Sequence, residues 1–388
     1  MTNAARFHTI PVCNEEDRTM LPFTVPKRYT DLVFISEGAQ GAVVSAWDSI
    51  TSRKVAIKKL QGQFDSQLAA LRAFREVVLL SSLSHPNIIK FKSLFTPQES
   101  LEEFEDIYLI MEFLGSTLEE VVGKVNLDHR TLSKFIYQTL CAVSHLHKKG
   151  IIHRDLKPCN IVVNEQFELK VIDFGHARVI TRTPAERMSG YVVTRYYRAP
   201  EVILKLKYCE KVDVWSIGCI IAQMINGTVL FQGRDKIDQW KKIVGIMGTP
   251  NEFIAQLDPA IAEGVRLGTP IATPKSLEDI IPDPNFIETS EDSQRNWTAQ
   301  NARNLISRML VIDPNQRCSI AQALEDPYVR CWADDRELNA RLEQVNERGG
   351  SGYDRNLDAQ ALSVAELKAI IFEEVKRIES AQDIFGGL

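Results

Sequence analysis

The first third of the chain has short hydrophobic runs that are typical of β-strands. Between residues 28 and 60, runs rich in Val, Ile and aromatic residues are interrupted by short polar stretches. Residues 67–83 change to a helical period, with Arg75 and Glu76 among the polar positions. Two further strand-like runs follow at 88–94 and 107–113. The pattern predicts a small lobe built mainly of antiparallel β-structure.

Beyond Gly115 the hydrophobic positions recur mainly at helical spacing. The clearest predicted helices lie at 131–148, 212–225 and 301–310. This change of pattern marks a boundary, with residues 112–115 as the connection between the two parts. We therefore predict an α+β fold with two lobes, in which the second lobe is larger and mainly helical.

The end of the chain has the pattern of a linker followed by a helix. Residues 345–360 include Gly349-Gly350-Ser351-Gly352 and are predicted to form a flexible connector. Ser363 and Glu366 then have the spacing of a capping box. An apolar stripe follows, which predicts an amphipathic helix that packs back onto the body. Its residues are Val364, Leu367, Ile370, Ile371 and Ile378.

Composition narrows the class of protein. The 388 residues are 44% hydrophobic and 25% charged, as in globular proteins with a substantial core. A net charge of −5 gives no reason to expect direct nucleic-acid binding. The seven cysteines form no CxxC pair, which indicates unpaired thiols in a reducing compartment. Residues 214–225 are too short an apolar run to span a bilayer, so we expect no membrane contact and a cytoplasmic and nuclear location.

Two motifs contain the groups that phosphoryl transfer from ATP requires. The run 153–160 (His-Arg-Asp-Leu-Lys-Pro-Cys-Asn) holds a carboxylate, a cation and an amide, and Asp173-Phe174-Gly175 adds a second carboxylate. Asp155 would orient the acceptor hydroxyl, and Lys157 would meet the developing charge on the γ-phosphate. Asn160 and Asp173 would hold Mg²⁺, which prefers oxygen ligands and few protein contacts.

Two stretches nearer the N-terminus fit the same chemistry. Val55-Ala56-Ile57-Lys58 ends a strand with a lysine suited to the α- and β-phosphates, and Glu76 is its expected partner. Glu76 could instead be ordinary helix surface. Residues 36–43 contain Gly38 and Gly41 where a loop covering phosphates is expected, although Ser36 replaces the usual first glycine. Alone, this loop is more typical of a simple hairpin.

The chain resembles a mitogen-activated protein kinase of the Jun N-terminal kinase subgroup. The resemblance extends over residues 23–379 and rests on the motifs above and on the runs 95–104, 191–201 and 237–240. It implies a two-lobed protein-kinase fold and a proline-directed serine/threonine kinase in a stress-type cascade, with Mg²⁺ as cofactor and ATP as co-substrate. The implied domains are a flexible segment at 1–22, an N-lobe at 23–111, a C-lobe at 112–330 with an insert near 245–283, and a docking patch, linker and C-terminal helix at 331–388.

The resemblance also assigns roles to individual residues. Asp155, Lys157, Lys58 and Glu76 would be catalytic, and Asn160 and Asp173 would bind the metal. ATP would contact Ile35, Ser36, Gly38, Gly41, Val43, Ala56, Lys58, Met111, Glu112, Leu114 and Val162.

Regulation is implied by a Ser189-Gly190-Tyr191 run, where the family has Thr-x-Tyr. Phosphates on Ser189 and Tyr191, added by an upstream dual-specificity kinase, would meet guanidinium groups. Those groups belong to Arg72, Arg154, Arg178, Arg195 and Arg198. The acidic residues Asp334, Asp335 and Glu337 would dock basic-apolar motifs of activators, phosphatases, scaffolds and substrates.

Two other readings remain open. A pseudokinase or scaffold would bind partners without chemistry, but Lys58, Glu76, Asp155, Asn160 and Asp173 are all present. A small-molecule kinase of the same fold would have no need of the activation segment and docking patch.

Overall fold

The structure is a computed structural model that describes residues 6–15, 17–38, 40–125, 127–179, 195–287, 296–333, 362–381 and 384–385. These residues fall into two compact units. The first draws on Met1–Leu114, Asp173–His176 and Ser351–Leu388, and the second on Gly115–Ile172 and Ala177–Gly350.

Strands dominate the first unit and helices the second. The strands are β1 (Phe7–Cys13), β2 (Met20–Pro26), β3 (Tyr29–Gly38), β4 (Gly41–Asp48), β5 (Arg53–Leu60), β6 (Phe91–Phe95), β7 (Tyr108–Glu112), β8 (Ser116–Thr117), β9 (Ile151–Ile152), β10 (Ile161–Val163), β11 (Leu169–Val171) and β12 (Arg178–Val179). The helices are α1 (Gln67–Ser82), α2 (Leu118–Val121), α3 (His129–Lys148), α4 (Pro200–Ile203), α5 (Lys211–Asn226), α6 (Lys236–Met247), α7 (Asn251–Ala255), α8 (Pro259–Gly268), α9 (Leu277–Ile280), α10 (Ala299–Met309), α11 (Ile320–Leu324), α12 (Pro327–Arg330) and α13 (Val364–Ala381).

The first unit is built on a five-stranded antiparallel sheet in the order β3-β4-β5-β7-β6. Directly paired residues point to the same side of a sheet, and successive residues alternate between its two sides. One side carries Val44, Ile57 and Ile110, which are at most 1% exposed. The other side carries Lys58 together with Val43, which pairs with it. The candidate site described below lies on this side.

A separate hairpin, β1–β2, covers the apolar side of this sheet. Its residues Phe23 and Val25 are 0% exposed and share a core with the sheet. The structure differs here from the predicted flexible segment at 1–22. Prolines in both strands argue against a strand pattern in the sequence, yet Pro11 and Pro22 lie opposite each other in a two-stranded ribbon. The hairpin is buried because it packs against sheet residues that lie far away in sequence.

Helix α1 follows the predicted helical period and begins at a side-chain cap. The Ser66 hydroxyl accepts a hydrogen bond from the backbone N–H of Ala69 at 3.2 Å. Arg75 and Glu76 stand at polar positions of this period, yet both are buried, each 3% exposed. In the case of Glu76, the cause is an ion pair inside the unit, described below.

Helix α13 packs against α1 and β6, also within the first unit. The predicted capping box is present: Glu366 N–H donates to Ser363 Oγ at 3.2 Å, and Ser363 N–H donates to the Glu366 carboxylate at 2.8 Å. Leu367 and Ile371 are fully buried. At the far end, Glu379 Oε1 accepts from Thr96 N–H at 2.7 Å. The predicted linker at 345–360 lies outside the described residues.

The second unit is organised around α5. The predicted helices at 131–148, 212–225 and 301–310 are present as α3, α5 and α10, with ends that differ by two residues or fewer. Every residue of α5 from Val212 to Ile225 is buried, and the helix ends at Gly227, whose φ of +70° suits glycine. Two small sheets, β11-β10-β8 and β12-β9, flank the loop at 153–160. Helices α7, α8 and α9 occupy the stretch near 245–283.

Candidate active site

A buried cluster of charges lies at the centre of the first unit. Lys58 on β5 is 8% exposed, and its Nζ lies 2.5 Å from Glu76 Oε1 on α1 and 3.8 Å from Asp173 Oδ1. Burial alone would lower the pKa of Lys58, but the carboxylates of Asp173 and Glu76 outweigh it and raise the pKa. The ammonium is therefore fully charged at neutral pH. Its position is set by both acids.

The sheet presents Lys58 beside a half-buried apolar surface. Val43 on β4 pairs with Lys58, and Ala56 on β5 pairs with Met111 on β7. Lys58 and Ala56 are two residues apart, so all four side chains share one side of the sheet. Val43, Ala56 and Met111 are each half-buried. This side of the sheet can cover a flat apolar ligand and place a cation at its edge.

The glycine-rich loop is the tip of the β3–β4 hairpin, with Gly38 paired to Gly41. Gly41 has a φ of +140°, and a Cβ there would lie 2.0 Å from the backbone oxygen of Lys59, so only glycine fits. Ser36 follows a β-bulge and pairs with Val43 on the side of Lys58. Ile35 is 40% exposed at this bulge.

The glycine-rich loop also lies against the Asp-Phe-Gly segment. A Cβ on Gly175 would come within 2.3 Å of Gln40 Oε1, so glycine at 175 allows this approach. Asp173 has a φ of +63°, and its Oδ1 accepts from Gly175 N–H at 3.2 Å. Phe174 is fully buried. At one end of the segment Asp173 lies near Lys58, and at the other end Gly175 lies against Gln40.

Glu112 and Leu114 follow Met111 at the end of β7, and both are half-buried. The backbone N–H of Glu112 already donates to the carbonyl of Lys90 at 3.0 Å. A ligand at this position would therefore meet the carbonyl of Glu112. Val162 lies in the second unit on β10, paired with Thr117, and is half-buried.

In the second unit, Asp155, Lys157 and Asn160 form one compact group. Lys157 Nζ lies 3.0 Å from Asp155 Oδ2. Asn160 Nδ2 donates to the same oxygen at 3.0 Å and to the backbone oxygen of Asp155 at 2.8 Å. The carboxylate oxygen and the backbone oxygen of Asp155 can only accept hydrogen bonds, so the Asn160 amide must turn its nitrogen toward them. Its Oδ1 therefore points away from Asp155. The loop thus offers a carboxylate, a cation and an amide oxygen in fixed geometry.

Comparison with known proteins shows the family of this chain. Residues 29–329 match the protein kinase domain family. The chain is 47% identical over 363 residues to "Stress-activated protein kinase JNK" of Suberites domuncula, covering 92% of this chain and 96% of that protein. It is 45% identical over 359 residues to the protein of the same name in Drosophila melanogaster, covering 92% and 93%. It is also 47% identical over 386 residues to "GLH-binding kinase 1" of Caenorhabditis elegans, covering 99% and 97%.

The chain belongs to the protein kinases, in the stress-activated Jun N-terminal kinase subgroup. It is a serine/threonine protein kinase, a class that uses ATP and a divalent metal ion. Its two-lobed fold is that of the family, with a β-rich N-lobe and a helical C-lobe.

The loop at 153–160, the candidate catalytic loop, is anchored by Asp213, a residue that the sequence did not single out. Asp213 is 0% exposed, and its carboxylate accepts from Arg154 N–H at 2.8 Å and from His153 N–H at 2.9 Å. His147 Nε2 lies 2.9 Å from the same carboxylate. Burial would raise the pKa of Asp213, but the hydrogen bonds from His147 and from the backbone N–H of Arg154 are among the contacts that lower it overall. An acid inside the predicted helix at 212–225, directly before the apolar run 214–225, was the available signal.

His153 connects the loop at 153–160 to Ile172, the residue that follows β11. It is 0% exposed; its Nδ1 accepts from Asp155 N–H at 3.3 Å, and its Nε2 lies 3.1 Å from the carbonyl of Ile172. An N–H donates and a carbonyl accepts, so these contacts require the tautomer with hydrogen on Nε2. The ring thereby fixes the backbone of Asp155.

A second buried ion pair holds α4 through Glu201. Arg317 donates to Glu201 through two bonds, at 2.7 and 2.9 Å, and both side chains are at most 1% exposed. The Arg317 guanidinium also lies 5.2 Å from the centre of the Trp215 ring. The sequence contained Glu201 within a family motif but gave no signal for Arg317.

The predicted phosphate-binding arginines occupy both units. Arg72 lies half-buried on α1 in the first unit, and Arg178 lies on β12 in the second. Arg154 has a φ of +70°, and its guanidinium lies 5.6 Å from the ring centre of Tyr208. Arg195 donates to the carbonyl of Arg234. Burial lowers the pKa of Arg198 from its usual value, although nearby Asp155 acts in the opposite direction.

The predicted phosphosites and docking acids lie outside the described residues. They are Ser189, Tyr191, Asp334, Asp335 and Glu337. Over the stretches of chain that the structure describes, no helix has both the length and the apolar character needed to cross a membrane.

Proposed function

We propose that this kinase transfers the γ-phosphoryl group of Mg-ATP to serine or threonine residues that precede proline. The observation that carries the proposal is the Asp155 carboxylate, held by Lys157 and Asn160 in one loop. Asp155 orients the acceptor hydroxyl and takes its proton. Lys157 Nζ lies 3.0 Å from that carboxylate, beside the proposed position of the acceptor hydroxyl. There its positive charge stabilises the phosphoryl group during transfer from ATP.

Nucleotide binding is assigned to groups on the sheet and to Val162. Lys58 holds the α- and β-phosphates, and Glu76 keeps it in place. The half-buried surface of Val43, Ala56 and Met111 contacts adenine, together with Val162 and backbone groups of Glu112 and Leu114. Ile35, Ser36, Gly38 and Gly41 belong to the loop that covers the phosphates.

The residues present fit a Mg²⁺ ion. Asn160 presents an amide oxygen once its nitrogen is bound to Asp155, and Asp173 presents a carboxylate. Both are hard oxygen donors, and Mg²⁺ in kinases binds one or two such groups along with phosphate oxygens. When bound, the ion neutralises charge on the phosphates.

A preference for proline after the acceptor residue has a physical basis. A substrate pocket that leaves the next backbone N–H without an acceptor penalises every residue except proline, which has no such group. Arg198, together with Val192 and Val193, is assigned to this pocket by resemblance. The two valines lie outside the described residues.

Activation is assigned to phosphorylation of Ser189 and Tyr191 by an upstream dual-specificity kinase. Each phosphate adds nearly two negative charges and pairs with guanidinium groups. We assign phosphoserine to Arg72, Arg154 and Arg178, and phosphotyrosine to Arg195 and Arg198. Ser189→Ala and Tyr191→Phe should each reduce the activity reached after treatment with the upstream kinase. Wild-type rates in both variants would rule out the dual switch.

Partner recruitment is assigned to Asp334, Asp335 and Glu337. An acidic cluster favours peptides that combine basic and apolar residues, as expected for activators, phosphatases, scaffolds and substrates. We place the kinase in the cytoplasm and nucleus, with no direct contact with nucleic acid or membrane.

A degenerate peptide library tests activity and specificity together. We expect the activated kinase to label serine and threonine peptides, with the strongest selection for proline at the next position. The alternative function is a pseudokinase or scaffold that acts through its docking surface. It predicts no incorporation of phosphate, while a basic-apolar peptide still binds.

A further inference from the structure

Among the described residues at the tip of the β1–β2 hairpin, 13–15 and 17–19, one polar residue is buried. Asn14 is 5% exposed, whereas its neighbours Cys13 and Glu15 are exposed. Residues at a hairpin tip normally face water. Burial of this one amide therefore indicates a contact beyond the hairpin itself.

The backbone around Asn14 is held in a defined shape. Asn14 N–H donates to the carbonyl of Thr19 at 2.8 Å, and Arg18 N–H donates to the carbonyl of Asn14 at 2.8 Å. Arg18 adopts a φ of +62°, and Asp17 Oδ1 accepts from the N–H and hydroxyl of Thr19 at 2.9 and 2.7 Å. These bonds also lower the pKa of Asp17. The turn is thus set by its own hydrogen bonds.

The base of the hairpin is fixed to the five-stranded sheet. Thr24 N–H donates to Tyr108 Oη at 3.1 Å, and Lys59 Nζ donates to the carbonyl of Pro22 at 3.2 Å. The fully buried Phe23 lies in the same core as the sheet residues. The hairpin that carries Asn14 is therefore anchored to the core of the sheet.

The side chain of Asn14 contacts the glycine-rich loop. Its Nδ2 donates to Glu37 Oε2 at 3.1 Å. Glu37 pairs with Ala42, so it points to the side of the sheet opposite Ser36 and Lys58. The contact therefore reaches the loop from behind, away from the side assigned to ATP.

We propose that Asn14 is a positioning residue that holds the glycine-rich loop through Glu37 in the pose that binds ATP phosphates. The proposal rests on the proposed role of that loop. A loop held in one pose loses less conformational entropy when it closes over a ligand. Loss of the bond should weaken ATP binding about threefold to tenfold, which corresponds to the net contribution of one ordinary hydrogen bond. The value of kcat should change by less than about twofold, because Asn14 touches no reacting atom.

The experiment exchanges donor and acceptor. Asn14→Asp places two carboxylates opposite each other, and combining it with Glu37→Gln restores a bond from the new amide to the new carboxylate. Thr9→Val is the control, since it removes the Thr9–Thr24 hydroxyl contact of 3.0 Å within the same hairpin and leaves the loop untouched. The full chain is titrated with the fluorescent analogue mant-ATP and Mg²⁺. KM for ATP and kcat are then measured on the activated kinase. Amide hydrogen exchange is measured on the peptide covering 36–42.

We expect Asn14→Asp to raise the Kd for mant-ATP about tenfold and to speed exchange in the loop peptide, and the double variant to restore both. Thr9→Val should change neither. Equal defects in the single and double variants would overturn the role of Asn14. Wild-type protein that binds no nucleotide would instead overturn the proposed function, while the exchange data would still decide whether Asn14 holds the loop.

Discussion

Replacing Asp213 with asparagine tests how the catalytic loop is held. The carboxylate accepts from three donors: the N–H groups of His153 and Arg154 and Nε2 of His147, all within 2.9 Å. An amide of the same size has one oxygen, so its nitrogen must face a buried donor. Asp213→Asn therefore removes acceptors and charge without creating a cavity.

The expected cost follows from these contacts. A hydrogen bond to a charged group contributes about 1.5–3 kcal/mol, and a buried donor left unpaired costs about 1–3 kcal/mol more. We expect the free energy of unfolding to fall by roughly 3–5 kcal/mol. Arg154 is held at a φ of +70°, a backbone conformation that itself costs about 1–3 kcal/mol. Once released, the loop relaxes and moves Asp155, and a shift of about 1 Å lowers kcat about 10²-fold.

The assay combines kcat for a Ser-Pro peptide after activation, the Kd for mant-ATP, and urea unfolding. Asp326→Asn is a matched control in the same unit. Asp326 is 3% exposed and accepts from Tyr328 N–H and Arg308 Nη1, both at 3.0 Å. It should lose stability but retain kcat within about twofold. If folded Asp213→Asn also retained kcat within twofold, the anchoring role assigned to Asp213 would be wrong.

Two further predictions concern ionisable groups that are buried or half-buried. Arg317→Met leaves the Glu201 carboxylate buried without its partner, so urea unfolding should show a loss of about 3–5 kcal/mol; a loss below about 1 kcal/mol would contradict this role. Burial, together with Lys149 and Lys148, lowers the pKa of His145 to about 4. The unfolded chain then binds more protons between pH 6.5 and 4, so stability falls as pH falls through that window. His145→Gln should flatten the dependence of Tm on pH there, and an unchanged slope would exclude His145 as its source.

The sequence predicted the features that depend on local pattern or motif. The helices predicted at 67–83 and 212–225 are present as α1 and α5. Apolar residues at helical spacing lie within a single segment, so the sequence of that segment alone is enough to predict a helix. Lys58 and Glu76 were matched through motif order, and the structure contains their ion pair.

Features that depend on remote packing were not predictable in the same way. Burial of Asp213 requires the loop at 153–154 to bring two N–H groups to it from about sixty residues away in sequence. The β1–β2 hairpin contains prolines in both strands, and its core partner Tyr108 comes from β7. Contacts between residues that are far apart in sequence cannot be predicted from residue spacing or residue type within one segment.

We propose above all that Asp155 enables phosphoryl transfer at a site that binds ATP. The most direct measurement compares activated wild type and Asp155→Ala for transfer of labelled γ-phosphate to a Ser-Pro peptide, with the Kd for mant-ATP measured on the same preparations. We predict a loss in kcat of about 10²–10⁴-fold with the Kd changed by less than about threefold. Activity near that of wild type in Asp155→Ala, with contaminating kinases removed, would contradict the account.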